Sequence, residues 1–166
     1  MVKETNSTYD VDGLTYSKFK TLMNGLQNNL TRDEMQKLRQ VVKKSLAENI
    51  YHKDKKEDSI TNLTVSTSII LIEELGMKSA SIIALILYRP VIHKSITLED
   101  VKKLFGSDIA DIVSGLIKVN TVDVGESAMA SDNYIKLLIS LAEDMRVILI
   151  KIASRLHEIR CAERYS

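Results

Sequence analysis

The residues best suited to chemistry lie near the C-terminus, where an apolar stretch ends in Ser154, Arg155, His157 and Arg160. A serine three residues before a histidine shares one helix face with it, so Ser154 and His157 could form a nucleophile–base pair. The sequence shows neither a third partner nor an oxyanion site for this pair, and we assign it no catalytic role. The arginines suit phosphate recognition instead, because a guanidinium can donate two hydrogen bonds to one anion.

The histidines do not form a recognisable metal motif. His52, His93 and His157 lie in separate segments, without the i, i+4 pairing that helical zinc motifs use. We interpret them as one surface histidine and two that line or border a pocket. Cys161 is the only cysteine, which excludes an intrachain disulfide and fits a reducing compartment.

Size, composition and charge are those of one soluble domain. The chain has 166 residues, of which 45% are hydrophobic and 27% charged, with a formal net charge of +1. A balanced charge predicts no broad attraction to nucleic acid or anionic lipid. The N-terminus lacks a signal-peptide apolar region, and no apolar run approaches the roughly 20 residues that span a bilayer. We therefore expect a cytoplasmic protein that contacts neither nucleic acid nor membrane directly.

Helices must position these residues, because one proline and six glycines leave few breaks and apolar residues recur at helical spacing. The fold class predicted is all-α, a single orthogonal bundle of roughly seven or eight helices over residues 16–166. Residues 1–15 are expected to be a flexible N-terminal segment. The predicted helices cover approximately residues 17–27, 31–50, 63–75, 79–89, 98–105, 107–119, 130–142 and 145–161.

Several helix ends carry explicit signals. Thr31 with Glu34, and Thr97 with Asp100, have the spacing of capping boxes. Glycines at 76 and 106 are placed to end helices, and Pro90 is expected to end the fourth helix because it lacks an N–H. We expect residues 53–59 and 123–127 to be loops. The fourth helix is apolar on nearly all sides, which places it at the centre of the bundle.

Three longer stretches carry a family resemblance: Glu73–Gly76, Thr97–Gly106 and Asn133–Ala153. Together with the helix of residues 143–160, they resemble the hydrolase domain of the RelA/SpoT family, the stringent-response enzymes that make and destroy guanosine tetraphosphate. The resemblance covers about residues 40 to 160. It implies an HD-type helical domain, whose active members hydrolyse the nucleotide with a divalent metal, typically manganese.

The resemblance also implies that the catalytic residues have been replaced. The family's His-Asp metal pair falls on Tyr88 and Arg89, and its late Asp ligand falls on Ser154. An arginine cannot lose its proton and would repel a metal cation, and a serine is a poor substitute for a carboxylate. The complete set of vestigial hydrolase positions adds the early His, the Glu-Asp pair and a nearby Asn: Leu63, Tyr88, Arg89, Ile92, His93, Ser154 and Glu158.

Basic residues around this cleft offer a nucleotide-binding alternative. They could meet phosphate without a metal, although arginines near helix ends also commonly pair with local carboxylates. Lys55 and Lys56 match a basic stretch that the family places near the guanine. The candidate nucleotide-binding residues are Lys55, Lys56, Arg89, Arg155, His157 and Arg160.

These observations favour a catalytically inactive hydrolase-like domain that regulates an attached guanosine tetraphosphate synthetase domain in a longer parent protein. We expect no catalytic residues, no bound metal and no cofactor, with manganese needed only if a hydrolase with a rearranged site is correct. Two alternatives remain open: that pyrophosphohydrolase, and a sensor that binds guanosine tetraphosphate without cleaving it. A homodimer through exposed apolar surface is also left open.

Overall fold

The computed structural model describes residues 17, 20–28, 30–48, 50, 60–121, 139 and 144–164. Every regular element among them is helical, which confirms the predicted fold class. Residues 20–26 form a helical segment before the first labelled helix. The labelled helices are α1 (Arg32–Ala47), α2 (Ile60–Ile69), a π-helical turn (Ile70–Glu74), α3 (Ser79–Ile92), α4 (Leu98–Phe105), α5 (Ser107–Thr121) and α6 (Met145–Arg164).

Both predicted capping boxes are present. At the start of α1, the Thr31 hydroxyl accepts from the Glu34 amide while the Glu34 carboxylate accepts from the Thr31 amide. Thr97 and Asp100 repeat the arrangement at the start of α4. Each box satisfies two backbone donors that the helix itself cannot pair, so these two starts are determined locally.

The central position of α3 is confirmed, but the prediction that Pro90 ends it is wrong. Helix α3 lies in the core, where its Ile82, Ile86 and Leu87 side chains are fully buried. Pro90 lies inside the helix and does not end it. Proline removes only its own N–H, and the helix continues because the His93 amide still donates to the Arg89 carbonyl. The chain turns at Lys94, whose φ is +60°.

Other ends differ from expectation by short distances. The helix that begins at Ile60 passes into the π-helical turn and ends before Gly76, whose φ of +60° suits glycine. Helix α1 ends at Ala47, although Ile50 beyond it is still buried. The predicted flexible segment 1–15, the loops 53–59 and 123–127, and nearly all of the helix predicted over 130–142 lie outside the described residues.

Helices α5 and α6 approach closely and are joined at one end by ion pairs. A Cβ atom added to Gly115 would lie 2.7 Å from Cγ2 of the buried Val147. At the start of α6, the Arg146 guanidinium donates to both oxygens of Asp108, at 2.9 and 2.6 Å, and to Asp144. The small residue and the charged clamp together fix where α6 lies against α5.

The bundle encloses one apolar core, to which α1, α3, α5 and α6 each contribute fully buried side chains. Helix α5 packs against α3 and α4, and α6 packs against α2, the π-helical turn, α3 and α5. Within the described residues, no helix combines the length and the hydrophobicity needed to cross a lipid bilayer.

Candidate functional site

A cavity of about 290 Å³ lies where α2, α3, α5 and α6 meet. Its lining mixes apolar side chains with two cations, one carboxylate and several hydroxyl or amide groups. Four separate helices build it, so its shape depends on how the bundle packs. The lining residues are Leu63, Thr64, Leu85, Tyr88, Arg89, Ile92, Leu116, Asn120, Ile150, Lys151, Ser154 and Glu158.

The cavity brings together six of the seven vestigial hydrolase positions, and we call it the hydrolase cavity after these matches. Helix α2 contributes Leu63, α3 contributes Tyr88, Arg89 and Ile92, and α6 contributes Ser154 and Glu158. His93 follows α3 and does not line the cavity; its Nε2 lies 3.3 Å from Nη1 of Arg89. Residues far apart in sequence therefore share one cleft, as their matches to a single family site require.

Lys151 and Asn120 are two cavity residues that the sequence reasoning missed. Lys151, Ser154 and Glu158 follow the i, i+3, i+7 spacing of one helix face, which could have indicated that Lys151 joins the other two. It is also the one charged residue within the apolar run Val147–Ile152. Asn120 carries no comparable signal, because nothing in its neighbourhood distinguishes it from a polar residue near a helix end.

A polar network connects the cavity walls. The Lys151 ammonium donates to Oδ1 of Asn120, and Nδ2 of Asn120 donates to the Leu116 carbonyl at 2.8 Å. Tyr88 also shares a hydrogen bond with Asn120. Asn120 thus links α3, α5 and α6, and its two hydrogen-bonding atoms are both used.

Burial changes the proton affinities of two members of this network. Burial lowers the pKa of Lys151, because an ammonium loses hydration in the cavity, while the nearby Glu158 carboxylate opposes the change. Burial raises the pKa of Tyr88, with Arg89 and the Asn120 hydrogen bond acting against it. The Tyr88 phenol therefore stays protonated at neutral pH, which makes it a poor metal ligand.

The other described basic residues considered for nucleotide binding do not line the cavity. Arg155 pairs with Glu158 at 3.0 Å, and Arg160 donates to both oxygens of Glu74 at 2.6 and 2.9 Å. The hydrogen bond from Arg160 lowers the pKa of Glu74. His157 contacts the Cys161 sulfur, with Nε2 at 3.5 Å.

Arg89 is thus the one described member of the predicted nucleotide-binding set that lines the cavity. Lys55 and Lys56 lie outside the described residues. Lys151 supplies a second cavity cation that the prediction did not include.

The donor set does not fit the manganese ion that the resemblance implies. Manganese prefers carboxylate, carbonyl and water ligands, and the described lining offers one carboxylate, Glu158, which already pairs with Arg155. Arg89 and Lys151 bring positive charge to the same space. Among the described residues, no group of three or more His, Cys, Asp or Glu side chains is arranged to hold a metal ion.

Comparison with known proteins identifies the family of this chain. A family model described as HD domain matches residues 40–166, which is most of the chain. GTP pyrophosphokinase from Streptomyces coelicolor is 32% identical over 143 residues, covering 84% of this chain. This chain is a RelA/SpoT-type HD domain.

Other relatives bear related names. GTP pyrophosphokinase from Streptomyces antibioticus is 31% identical over 151 residues and covers 89% of this HD domain. GTP pyrophosphokinase rsh from Brucella ovis is 33% identical over 91 residues and covers 54% of it. The matched region is 16%, 18% and 12% of the three relatives, so the chain spans less than a fifth of their length.

Proposed function

We propose that this HD domain is a catalytically inactive form of the guanosine tetraphosphate hydrolase domain and that it regulates an attached synthetase domain. The observation that carries the proposal is the cavity itself, where Tyr88, Arg89 and Ser154 occupy the positions that match the family's metal ligands. Six matched positions lie together, so the proposal does not depend on a sequence alignment alone.

The charge of the cavity supports the loss of hydrolysis. A metal hydrolase needs anionic or neutral ligands that lower the pKa of a bound water and polarise the phosphate. In this cavity Arg89 and Lys151 outnumber Glu158, so a divalent cation would meet net repulsion. The Tyr88 phenol, kept protonated by burial, supplies no anionic oxygen.

A regulatory role is supported by the relatives and by exposed apolar surface. The relatives are named GTP pyrophosphokinase, and each is several times longer than this chain. On α6, Met145, Ile152 and Ile159 recur every seven residues and are 65%, 47% and 46% exposed. A seven-residue apolar stripe suits contact with another helix, supplied by an attached domain in this proposal.

The loss of hydrolysis is tested by titrating guanosine tetraphosphate into the domain with and without manganese, while released pyrophosphate is assayed. We expect no release under either condition. A matched variant restores Tyr88→His, Arg89→Asp and Ser154→Asp, and calorimetry should show manganese binding that the unchanged domain lacks. Manganese-dependent pyrophosphate release by the unchanged domain would establish the rearranged hydrolase and contradict the proposal.

The regulatory part requires a synthetase. This chain would replace the matching segment of the Streptomyces coelicolor GTP pyrophosphokinase, and the rate of guanosine tetraphosphate synthesis would be compared with that of the same enzyme lacking the segment. We expect the rates to differ severalfold, and the difference to shrink when Ile152 and Ile159 are replaced by serine. Equal rates with and without the domain would contradict regulation. Sedimentation of the isolated chain tests a homodimer through the same stripe.

The two cavity cations favour a second candidate, a sensor that binds guanosine tetraphosphate without cleaving it. Arg89 and Lys151 line the same cavity, and a phosphate would gain from both charges. Titration in the presence of a chelator should then show binding that falls at least tenfold in Arg89→Gln or Lys151→Met. Lys102→Gln on α4 is the control, because Lys102 is exposed and does not line the cavity. Unchanged affinity in the two cavity variants would remove this candidate.

A further inference from the structure

A second concave surface lies away from the hydrolase cavity, between the turn after residues 20–26 and the exposed face of α1. It encloses about 750 Å³, within the range of roughly 300–1,000 Å³ typical of ligand pockets. Its lining consists of Gln27, Asn28, Leu30, Thr31, Arg32, Met35, Gln36, Arg39, Gln40 and Lys43. We call this surface the α1 groove.

The α1 groove is basic, and none of its described lining residues is a carboxylate. Arg32, Arg39 and Lys43 are separated by seven and four residues, so they follow one face of the helix over roughly 16 Å. All three are exposed. Three exposed cations on one helix face favour an anionic partner.

The acidic residues nearest this row are engaged elsewhere. Asp33 pairs with Lys37, Glu34 completes the capping box with Thr31, and Glu48 lies 3.8 Å from Lys44. In the part of the chain that the structure describes, no carboxylate forms an ion pair with the three groove cations. Among the described residues, the positive charge of the groove is therefore not neutralised by an ion pair.

The remaining lining residues indicate the form of that partner. Four side-chain amides, those of Gln27, Asn28, Gln36 and Gln40, each both donate and accept, as the N–H and C=O groups of an extended peptide require. Leu30 and the buried Met35 supply an apolar floor for a non-polar side chain. None of the ten described lining residues is aromatic, so these residues offer no ring on which a nucleic-acid base could stack.

We propose that the α1 groove is a docking site for an extended, acidic peptide segment of a partner protein. About five residues of extended chain span the roughly 16 Å of the basic row. Carboxylates would meet Arg32, Arg39 and Lys43, and an apolar side chain between them would contact the floor. This site uses other elements than the hydrolase cavity and is independent of the regulatory proposal.

The probe is a fluorescein-labelled peptide of eight residues that alternates Asp and Val, so that every register presents both a carboxylate and an apolar side chain. Fluorescence anisotropy at low ionic strength measures its affinity for the domain. The variant Arg32→Gln, Arg39→Gln, Lys43→Gln should bind at least roughly tenfold more weakly. A second peptide that alternates Asp and Ser should bind the unchanged domain more weakly than the first, because it lacks the apolar contact.

The matched control removes three positive charges elsewhere, as Lys78→Gln, Lys102→Gln, Lys103→Gln, and should change the affinity less than twofold. Circular dichroism verifies that both triple variants remain helical. An equal loss of affinity in the control variant would mean that the peptide binds by non-specific charge attraction, and this result would overturn the proposal. So would tighter groove-dependent binding of an eight-nucleotide uridine oligomer, which would assign the groove to nucleic acid. Failure of both probes to bind would also overturn it.

Discussion

The hydrolase cavity and the α1 groove both present cations, but they are built in different ways. The cavity takes its residues from four helices, and its Lys151 is held by Asn120 from another helix. The groove takes its residues from one helix and the turn before it, and its three cations stand exposed in a row. The first depends on tertiary packing, whereas the second follows from the surface pattern of a single helix.

This difference matters for how each surface responds to change. A shift between α5 and α6 alters the cavity, because these helices supply two of its four walls. The same shift leaves the groove intact, because α1 packs against α3 and α4 instead. A variant that disturbs the contact between α5 and α6 should therefore alter the cavity without changing peptide binding to the α1 groove.

The largest expected effect comes from filling the contact between α5 and α6. Gly115→Ala places a methyl group 2.7 Å from the Val147 side chain, which is fully buried and stiff at χ1. Overpacking costs about 1–3 kcal/mol, and the better helix propensity of alanine offsets about 1 kcal/mol of this cost. We expect a net loss of up to roughly 2 kcal/mol in the unfolding free energy, measured by urea denaturation.

Gly25→Ala is the control, because nothing lies within 4 Å of its added Cβ. It should leave the unfolding free energy unchanged or raise it by up to about 1 kcal/mol. Peptide binding to the α1 groove should be unaffected in Gly115→Ala. If the two alanine variants had equal stability, the close approach of α5 and α6 would be disproved.

The next effect distinguishes the two capping boxes. Thr31→Ala and Thr97→Ala should each lower the unfolding free energy by about 1 kcal/mol, because each removes an acceptor for an unpaired helix donor. Only Thr31 also lines the α1 groove. We therefore expect the anisotropy assay to report weaker peptide binding for Thr31→Ala and unchanged binding for Thr97→Ala. The same affinity in both variants would show that the start of α1 does not shape the groove.

A smaller effect, under about 1 kcal/mol, is expected from Arg146→Gln because the three side chains of the clamp keep between 26% and 64% of their surface in contact with solvent. Hydrogen bonds from Arg146 are the main cause of the lowered pKa of Asp108 and of Asp144. A carboxylate with a lowered folded pKa stabilises above its unfolded pKa of about 3.9 and loses that contribution as the pH falls further. Urea denaturation should therefore show a difference from the unchanged protein at pH 7 that disappears in acid. A difference that persists at pH 2 would rule out this origin.

The smallest effect on the unfolding free energy is expected from Lys151→Met. Unlike the preceding substitutions, it should not lower the stability of the domain. Removing a buried ammonium relieves a desolvation cost, so the unfolding free energy should stay equal or rise slightly. Because folding lowers the pKa of Lys151, this cost declines as the pH rises towards about 10.4, the value in an unfolded chain. The advantage of the variant should thus be greatest near neutral pH. A clear loss of stability on thermal unfolding would show that the hydrogen bond to Asn120 outweighs the cost of burial.

Much of the fold was predictable because its signals are local. The capping boxes at Thr31 and Thr97 and the apolar character of α3 follow from neighbouring residues, and the structure contains all three. Pro90 shows the limit of local rules. Its missing N–H weakens a helix, but the helix around it is buried in the core, and that packing outweighs the local preference for an end.

The candidate site likewise combines features that the sequence indicated with features that it did not. A family resemblance indicated six positions that the structure places around one cavity, but it gave no sign of Asn120. The sequence indicated that arginines near helix ends often pair with carboxylates. It did not indicate which carboxylates Arg155 and Arg160 contact. Arg160 finds Glu74 on the π-helical turn, 86 residues earlier in the chain, and no short pattern encodes such a distant contact.

The sequence by itself determined the helical class, the capped helix starts and the family, since each depends on residue type and short-range spacing. The basic face of α1 was equally present in the sequence, as cations at helical intervals. Only the tertiary structure decided that Lys151 joins Tyr88 and Arg89 in one cavity, that Asn120 links three helices, and that Arg155 and Arg160 lie outside. These outcomes depend on how separate helices pack, and packing is a property of the whole chain rather than of any segment.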